Sequence, residues 1–150
     1  MNITNCKVNH LTNPLGYAMK RTVFSWTVEG AKGKKQKEAR ILVKTGQEIA
    51  ADTGWKELDS LAAPVEISLY PCTRYTWTVA VRTDIGEEAE SAENWFETGK
   101  MEEEWQAKWI GCNGVPERHP IFFKEILPQK KVASARLYVC GLGLYEAAWN

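Results

Sequence analysis

Apolar residues recur at every second position in four stretches of this chain. Phe24, Trp26 and Val28 alternate with Ser25 and Thr27, Ala39, Ile41 and Val43 with Arg40 and Lys44, and Val65, Ile67 and Leu69 with Glu66 and Ser68. A period of two sends successive side chains to opposite faces of an extended backbone, so each stretch predicts a strand with one buried and one wet face. The pattern is clearest where Tyr75, Trp77, Val79 and Val81 oppose Arg74, Thr76, Thr78 and Arg82. Aromatic and β-branched residues suit a packed, pleated surface, and this stretch reads as a central strand.

Turn chemistry separates these stretches: Asn13 to Gly16, Gly30 to Gly33, Pro71, and Ile85 to Gly86. Pro71 has no N–H for a ladder and belongs to the entering loop. Seven strands are expected, beginning near Ile3, Thr22, Glu38, Trp55, Val65, Arg74 and Asn94. Short strands at this spacing fit an all-β, immunoglobulin-like sandwich of the fibronectin type III kind, about 100 residues long. Tyr75 falls where such sandwiches place a corner tyrosine, its ring in the core and its hydroxyl on nearby backbone. Trp26 is expected at the centre of the core.

After Gly99 the composition changes. KMEEEWQAK favours helix but offers only about two turns, too few to stand alone in water, so 101–108 reads as a linker. Alternation then returns: Ala135, Leu137 and Val139 share one face, Gly141 and Gly143 reverse the chain, and Tyr145, Ala147 and Trp149 share the next. The division expected is a sandwich over 1–100, a linker over 101–108 and, over 109–150, the start of a second β-sandwich that needs further strands. Trp105 and Trp109 are expected to pack at the boundary between the two domains rather than to stack on sugars.

With 44% apolar residues and seven tryptophans there is material for a packed core, and a formal charge of zero gives no global field to draw nucleic acid. Lys32, Lys34, Lys35, Lys37 and Arg40 cluster, as do Glu87, Glu88, Glu90, Glu93, Glu97, Glu102, Glu103 and Glu104; both runs read as solvated surface. The four cysteines, Cys6, Cys72, Cys112 and Cys140, form no CxxC pair and are expected to be free, mostly buried thiols, with a Cys6 to Cys72 bridge left open. No apolar run approaches a membrane span and no signal peptide is visible. A soluble chain is expected, with the cytoplasm favoured and export admitted if a leader has been removed.

No catalytic, cofactor or metal site is expected. His10 and His119 lack ligand-spaced partners, and Asp52, Asp59 and Asp84 are too scattered for a calcium loop. There is no GxSxG elbow, P-loop or dinucleotide fingerprint. Glycoside hydrolysis demands two carboxyl groups fixed across a rigid pocket, whereas the acids here fall on turns, wet strand faces or the linker. Trp55, Trp95 and Trp149 are the candidate rings for a carbohydrate-binding module, the alternative to a structural role. A fibronectin-like spacer or adhesion domain is a third reading, which leaves WQAKWIG and ARLYVCGLGLYE without a reason.

The ordered blocks PLGY (14–17), FSW (24–26), DTGW (52–55), TRYTWTVAV (73–81), NWFETG (94–99), WQAKWIG (105–111), FFKEILP (122–128) and ARLYVCGLGLYEAAWN (135–150) resemble the amino-terminal region of bacterial α-L-rhamnosidases, glycoside hydrolase family 78. The resemblance covers nearly the whole chain. One departure is Glu38-Ala39 before Arg40-Ile41, where the family commonly has a tyrosine. The resemblance implies a fibronectin-like domain plus the start of a following sandwich, in an inverting hydrolase whose acids lie in a downstream (α/α)6 barrel, outside 1–150. It implies as partners the remainder of the polypeptide and, through it, rhamnosylated glycans. Self-association through the incomplete second domain is also admitted, and neither nucleic acid nor membrane is expected.

Overall fold

Nine strands form among the residues described by the computed structural model, which are 1–112 and 120–148. They are β1 (Asn2–Val8), β2 (Leu15–Tyr17), β3 (Thr22–Glu29), β4 (Gln36–Thr45), β5 (Glu48–Asp52), β6 (Ala63–Val65), β7 (Arg74–Thr83), β8 (Glu88–Glu90) and β9 (Asn94–Thr98). One sheet has the order β1-β3-β6, the other β2-β9-β7-β4-β5, with β8 also paired to β7. The result is an all-β, immunoglobulin-like sandwich with β7 central in the larger sheet, as its alternation predicts.

The core follows from that alternation. Tyr75, Trp77, Val79 and Val81 of β7 and Ala39, Ile41 and Val43 of β4 are buried beneath Phe24 and Trp26 of the smaller sheet. Four rings meet between the layers. Phe24 packs edge-on against Trp77 with centroids 4.7 Å apart, and against Phe96 at 6.4 Å, while Phe96 stacks on Tyr75 at 5.0 Å. Such pairs add to the stabilisation from the large apolar area the rings bury. Trp26 is buried in the same core, as expected: its Nε1–H donates to Gln36 Oε1, and Gln36 Nε2 donates to Leu58 O. It anchors the 56–60 loop.

Side chains complete the ladders where the backbone departs from them. The chain crosses between sheets through Asn9, His10 and Asn13, all in the left-handed region with φ of 48°, 67° and 47°. Asn9 Oδ1 accepts from Val23 N–H and its Nδ2 donates to Arg21 O, while Asn13 Oδ1 accepts from Trp95 N–H. Asparagine tolerates this backbone and its amide imitates a peptide group. Between β8 and β9, Ser91 holds Val79 with both its N–H and its hydroxyl. At Gly99 a Cβ would lie 2.4 Å from the Gly16 carbonyl oxygen, which is why only glycine lets β2 run parallel beside β9.

Several expectations are corrected. The strand expected near Trp55 reduces to one bridge between Lys56 and Ala39, because β5 already occupies the adjoining length of β4. The strand expected from Val65 onward instead ends there, since its partner β3 begins at Thr22 opposite Val65; Ile67 and Leu69 pack on the core without pairing. The short strands β2, β5 and β8 have no legible period. All four cysteines are free, but only Cys6 is buried.

The chain divides into two units, Met1–Lys108 and Trp109–Asn150. In the second, the described residues carry no strand, and Leu137 and Val139 stay about half exposed. Alternation specifies a strand only where a neighbouring strand pairs with it and a layer covers its apolar face. Trp149 and Asn150 lie outside the described residues.

The corner tyrosine is realised: Tyr75 hydroxyl accepts from Tyr70 N–H at 2.9 Å. Tyr75→Phe keeps the ring packing and removes this acceptor. The expected cost is about 1 kcal/mol, read as a lower urea midpoint with an unchanged slope.

Candidate functional site

Burying one side of β4 and β7 presents the other to solvent. Register places Glu38 opposite Arg82, Arg82 opposite Glu88 and Arg40 opposite Ala80 across the larger sheet. Arg82 donates from Nη1 to Glu38 at 3.1 Å and from Nε to Glu88 at 2.8 Å, and its guanidinium lies 3.8 Å from the centroid of the Trp55 ring. Arg74 covers Trp95 in the same way at 4.1 Å. Arg40 grips Asp52 with two nitrogens, and Asp52 Oδ1 also accepts from Gly54 N–H. The Arg40 hydrogen bond, then the Gly54 N–H, hold the Asp52 carboxyl at about 2, below the ordinary carboxylate range.

The lysine-rich loop between β3 and β4 is fastened by its main chain. Glu87 Oε2 accepts from the N–H groups of Lys32 and Gly33 at 2.9 and 2.8 Å, and Asp84 Oδ1 from that of Lys34 at 3.0 Å. The Gly33 N–H foremost holds the Glu87 carboxyl below its usual value. Lys32, Lys34, Lys35 and Lys37 are exposed, but Glu29, Glu38, Asp84, Glu87 and Glu88 flank the same end. The lysines are therefore offset rather than forming one cationic field.

The sequence candidates for chemistry are dispersed. Asp52 serves Arg40, Asp59 accepts from Leu61 N–H, and Asp84 serves the lysine loop. His10 is exposed in the crossover turn, and His119 lies outside the described residues. Among the described residues no three His, Cys, Asp or Glu side chains are placed to hold a metal, and no helix is long and apolar enough to cross a membrane. A solvent-open depression between the β5 and β6 edges is lined by Ala51, Asp52, Thr53, Lys56, Pro64 and Glu66. Its two carboxylates, Asp52 and Glu66, are both exposed, and Asp52 is bonded to Arg40, whereas a glycosidase pair is held across a desolvated pocket. Trp55 and Trp95, the described candidate sugar rings, are half-buried, each with a face against arginine.

Residues 3–102 match the family model described as the Rha78A-like, N-terminal immunoglobulin domain. The chain belongs to that family. Two curated α-L-rhamnosidases are similar to this Rha78A-like domain: that of Streptomyces avermitilis, 31% identical over 75% of this chain and 12% of its own length, and that of Formosa agariphila, 28% identical over 95% and 19%. The crystal structure of the Streptomyces avermitilis enzyme complexed with L-rhamnose superposes with a TM-score of 0.67 at 30% identity, covering 74% of this chain and 12% of that one. The α-L-rhamnosidase from Dictyoglumus thermophilum gives 0.67 at 33%, covering 74% and 14%. This Rha78A-like chain thus spans less than a fifth of the length of the relatives it matches, and its place is within a larger polypeptide.

The arginine–tryptophan stacks of the Rha78A-like domain escaped the sequence reading. Their only signal was Arg74 and Arg82 on the wet face of the best strand, and the tryptophans they meet arrive from other strands and loops. The Arg40–Asp52 pair has a pH signature. Because the Asp52 pKa falls on folding, its contribution is complete above about pH 5 and is lost as pH drops toward 2. The pair is exposed and screened by solvent, so its worth is small. Asp52→Asn is expected to lower stability slightly near neutral pH, with the difference from the wild type shrinking below about pH 4 and closing as pH falls through about 2, measured by urea unfolding across the range.

Proposed function

We propose that this chain is the non-catalytic amino-terminal accessory region of an α-L-rhamnosidase. Terminal α-L-rhamnosides would be cleaved by a catalytic barrel elsewhere in the same polypeptide. The observation that carries the reading is the asymmetry of coverage: rhamnosidases of 30–33% identity match three-quarters of this chain and only 12–14% of themselves. The bonding of the carboxylates supports it, since Asp52, Glu38, Glu88, Asp84 and Glu87 are committed to arginines or peptide N–H groups on open surface.

In this reading the domain of 1–100 is a rigid module, 101–108 connects it onward, and 109–150 begins a second sandwich. Support for the last part is the alternation from Ala135 to Tyr145 and the Formosa agariphila match over 95% of the chain. The role is architectural: packing on the catalytic barrel and shaping the approach of glycans, which contact the polypeptide through that barrel.

Assayed side by side on an aryl α-L-rhamnoside, the full-length parent is expected to hydrolyse the substrate and residues 1–150 to leave it intact. Turnover by residues 1–150 alone, or an inactive parent, overturns the assignment. Self-association belongs to the same reading, because Ile121, Phe123, Leu127, Leu142 and Leu144 are each more than three-quarters exposed. Light scattering is expected to show residues 1–150 larger than a monomer and residues 1–108 monomeric; equal behaviour of the two removes this part.

A further inference from the structure

The segment after β9 reads as a free linker in the sequence, yet its first turn is fastened to the sandwich. Gly99 is pinned from both sides, its N–H donating to Tyr17 O and its carbonyl accepting from Cys72 N–H, each at 2.9 Å. Met101 then takes a left-handed backbone, φ 48°, and Glu103 N–H closes a turn onto Lys100 O at 2.8 Å. The Glu103 carboxylate sits at the centre of this turn. One oxygen, Oε2, accepts from Lys100 Nζ at 3.3 Å and from the Cys72 thiol at 3.6 Å, and Cys72 belongs to the loop before β7. Lys100 Nζ also lies 5.5 Å from the centroid of the Trp105 ring. The Lys100 side chain is only 17% exposed, in a segment whose other side chains from Glu102 to Lys108 are all exposed.

We propose that residues 99–105 are a latched elbow, with Glu103 as the catch that holds Lys100 and the Cys72 loop together and fixes the direction in which the chain leaves β9. The sequence composition around it, three successive glutamates after a methionine, gives the neighbouring Glu102 and Glu104 no such role. The elbow is a conformational device: with the catch closed the exit is stiff, and with it open the exit is a tether. The inference concerns this chain alone and does not depend on the rhamnosidase reading.

Trypsin reports the latch directly, because cleavage after Lys100 requires that side chain to enter the protease while cleavage after the exposed Lys108 does not involve the turn. Cleavage of a locally closed segment follows the population of its open form. In the 1–150 chain, the bond after Lys100 is expected to be cut about fivefold more slowly than the bond after Lys108. Glu103→Ala is expected to remove most of that difference, and Cys72→Ala, which leaves the peptide around Lys100 unaltered, to remove part of it. Glu102→Ala deletes an acid still closer to the scissile bond and controls for the dislike of trypsin for acidic neighbours; it is expected to change little. Lys44, inside β4, reports on global unfolding and is expected to stay protected in every variant. Equal cleavage after Lys100 and Lys108 in the wild type overturns the latch, as does an acceleration by Glu102→Ala equal to that by Glu103→Ala, or a rise confined to variants in which Lys44 is also exposed.

Discussion

The ring cluster of Phe24, Trp77, Tyr75 and Phe96 is the contact on which the rest of the domain depends. It joins β3 of the smaller sheet to β7 and β9 of the larger one, so the two layers share one interior rather than lying side by side. Rings of this size bury about 150–250 Å² each, an area that smaller residues at the same positions cannot supply. Once β7 is held at the centre, β4 and β9 pair on either side of it, and β5 and β2 take the outer places that remain. Edge strands of three to five residues are stable here because their neighbours are already fixed.

The same constraint shapes the surface. Burying every second residue of β4 and β7 forces Glu38, Arg40, Arg74 and Arg82 onto one outer face, close enough that charges must be arranged rather than scattered. Opposite charges meet across the ladder, and the arginine planes find tryptophan rings. What results is a satisfied surface. Glu38 and Glu88 are spent on Arg82 and Asp52 on Arg40, and the Asp52 carboxyl, its pKa driven down rather than up, is a poor general acid or base. The scaffold role proposed above fits such a surface better than chemistry does.

Legibility varied with how much of each element depended on its own residues. The alternation in β3, β4 and β7 was decisive because three or more apolar positions in each point inward, and Tyr75 was legible because its ring and hydroxyl have separate demands. Trp55 misled: its neighbours resemble a strand, yet β5 takes the outer edge of β4 from Leu42 to Thr45, and Lys56 is left a single bridge to Ala39. Trp26 was legible as a core ring, but not the acceptor its N–H finds in Gln36. The latch at Glu103 was invisible, because one glutamate among three is chosen only by the distance to Cys72, thirty-one positions away in sequence.

By itself the sequence determined the fold class, the central strand, the buried face of each long strand and the absence of the familiar catalytic motifs. These follow from local periodicity and residue chemistry, which do not require knowledge of partners. The tertiary structure alone decided which short segments become edge strands, where each arginine finds its ring and its acid, and which cysteine is buried. It also decided that the turn after Gly99 is held rather than loose. Each of these is a competition between distant segments for the same hydrogen-bonding edge or the same side chain, and such competitions are settled by distance in space, which spacing along the chain does not record.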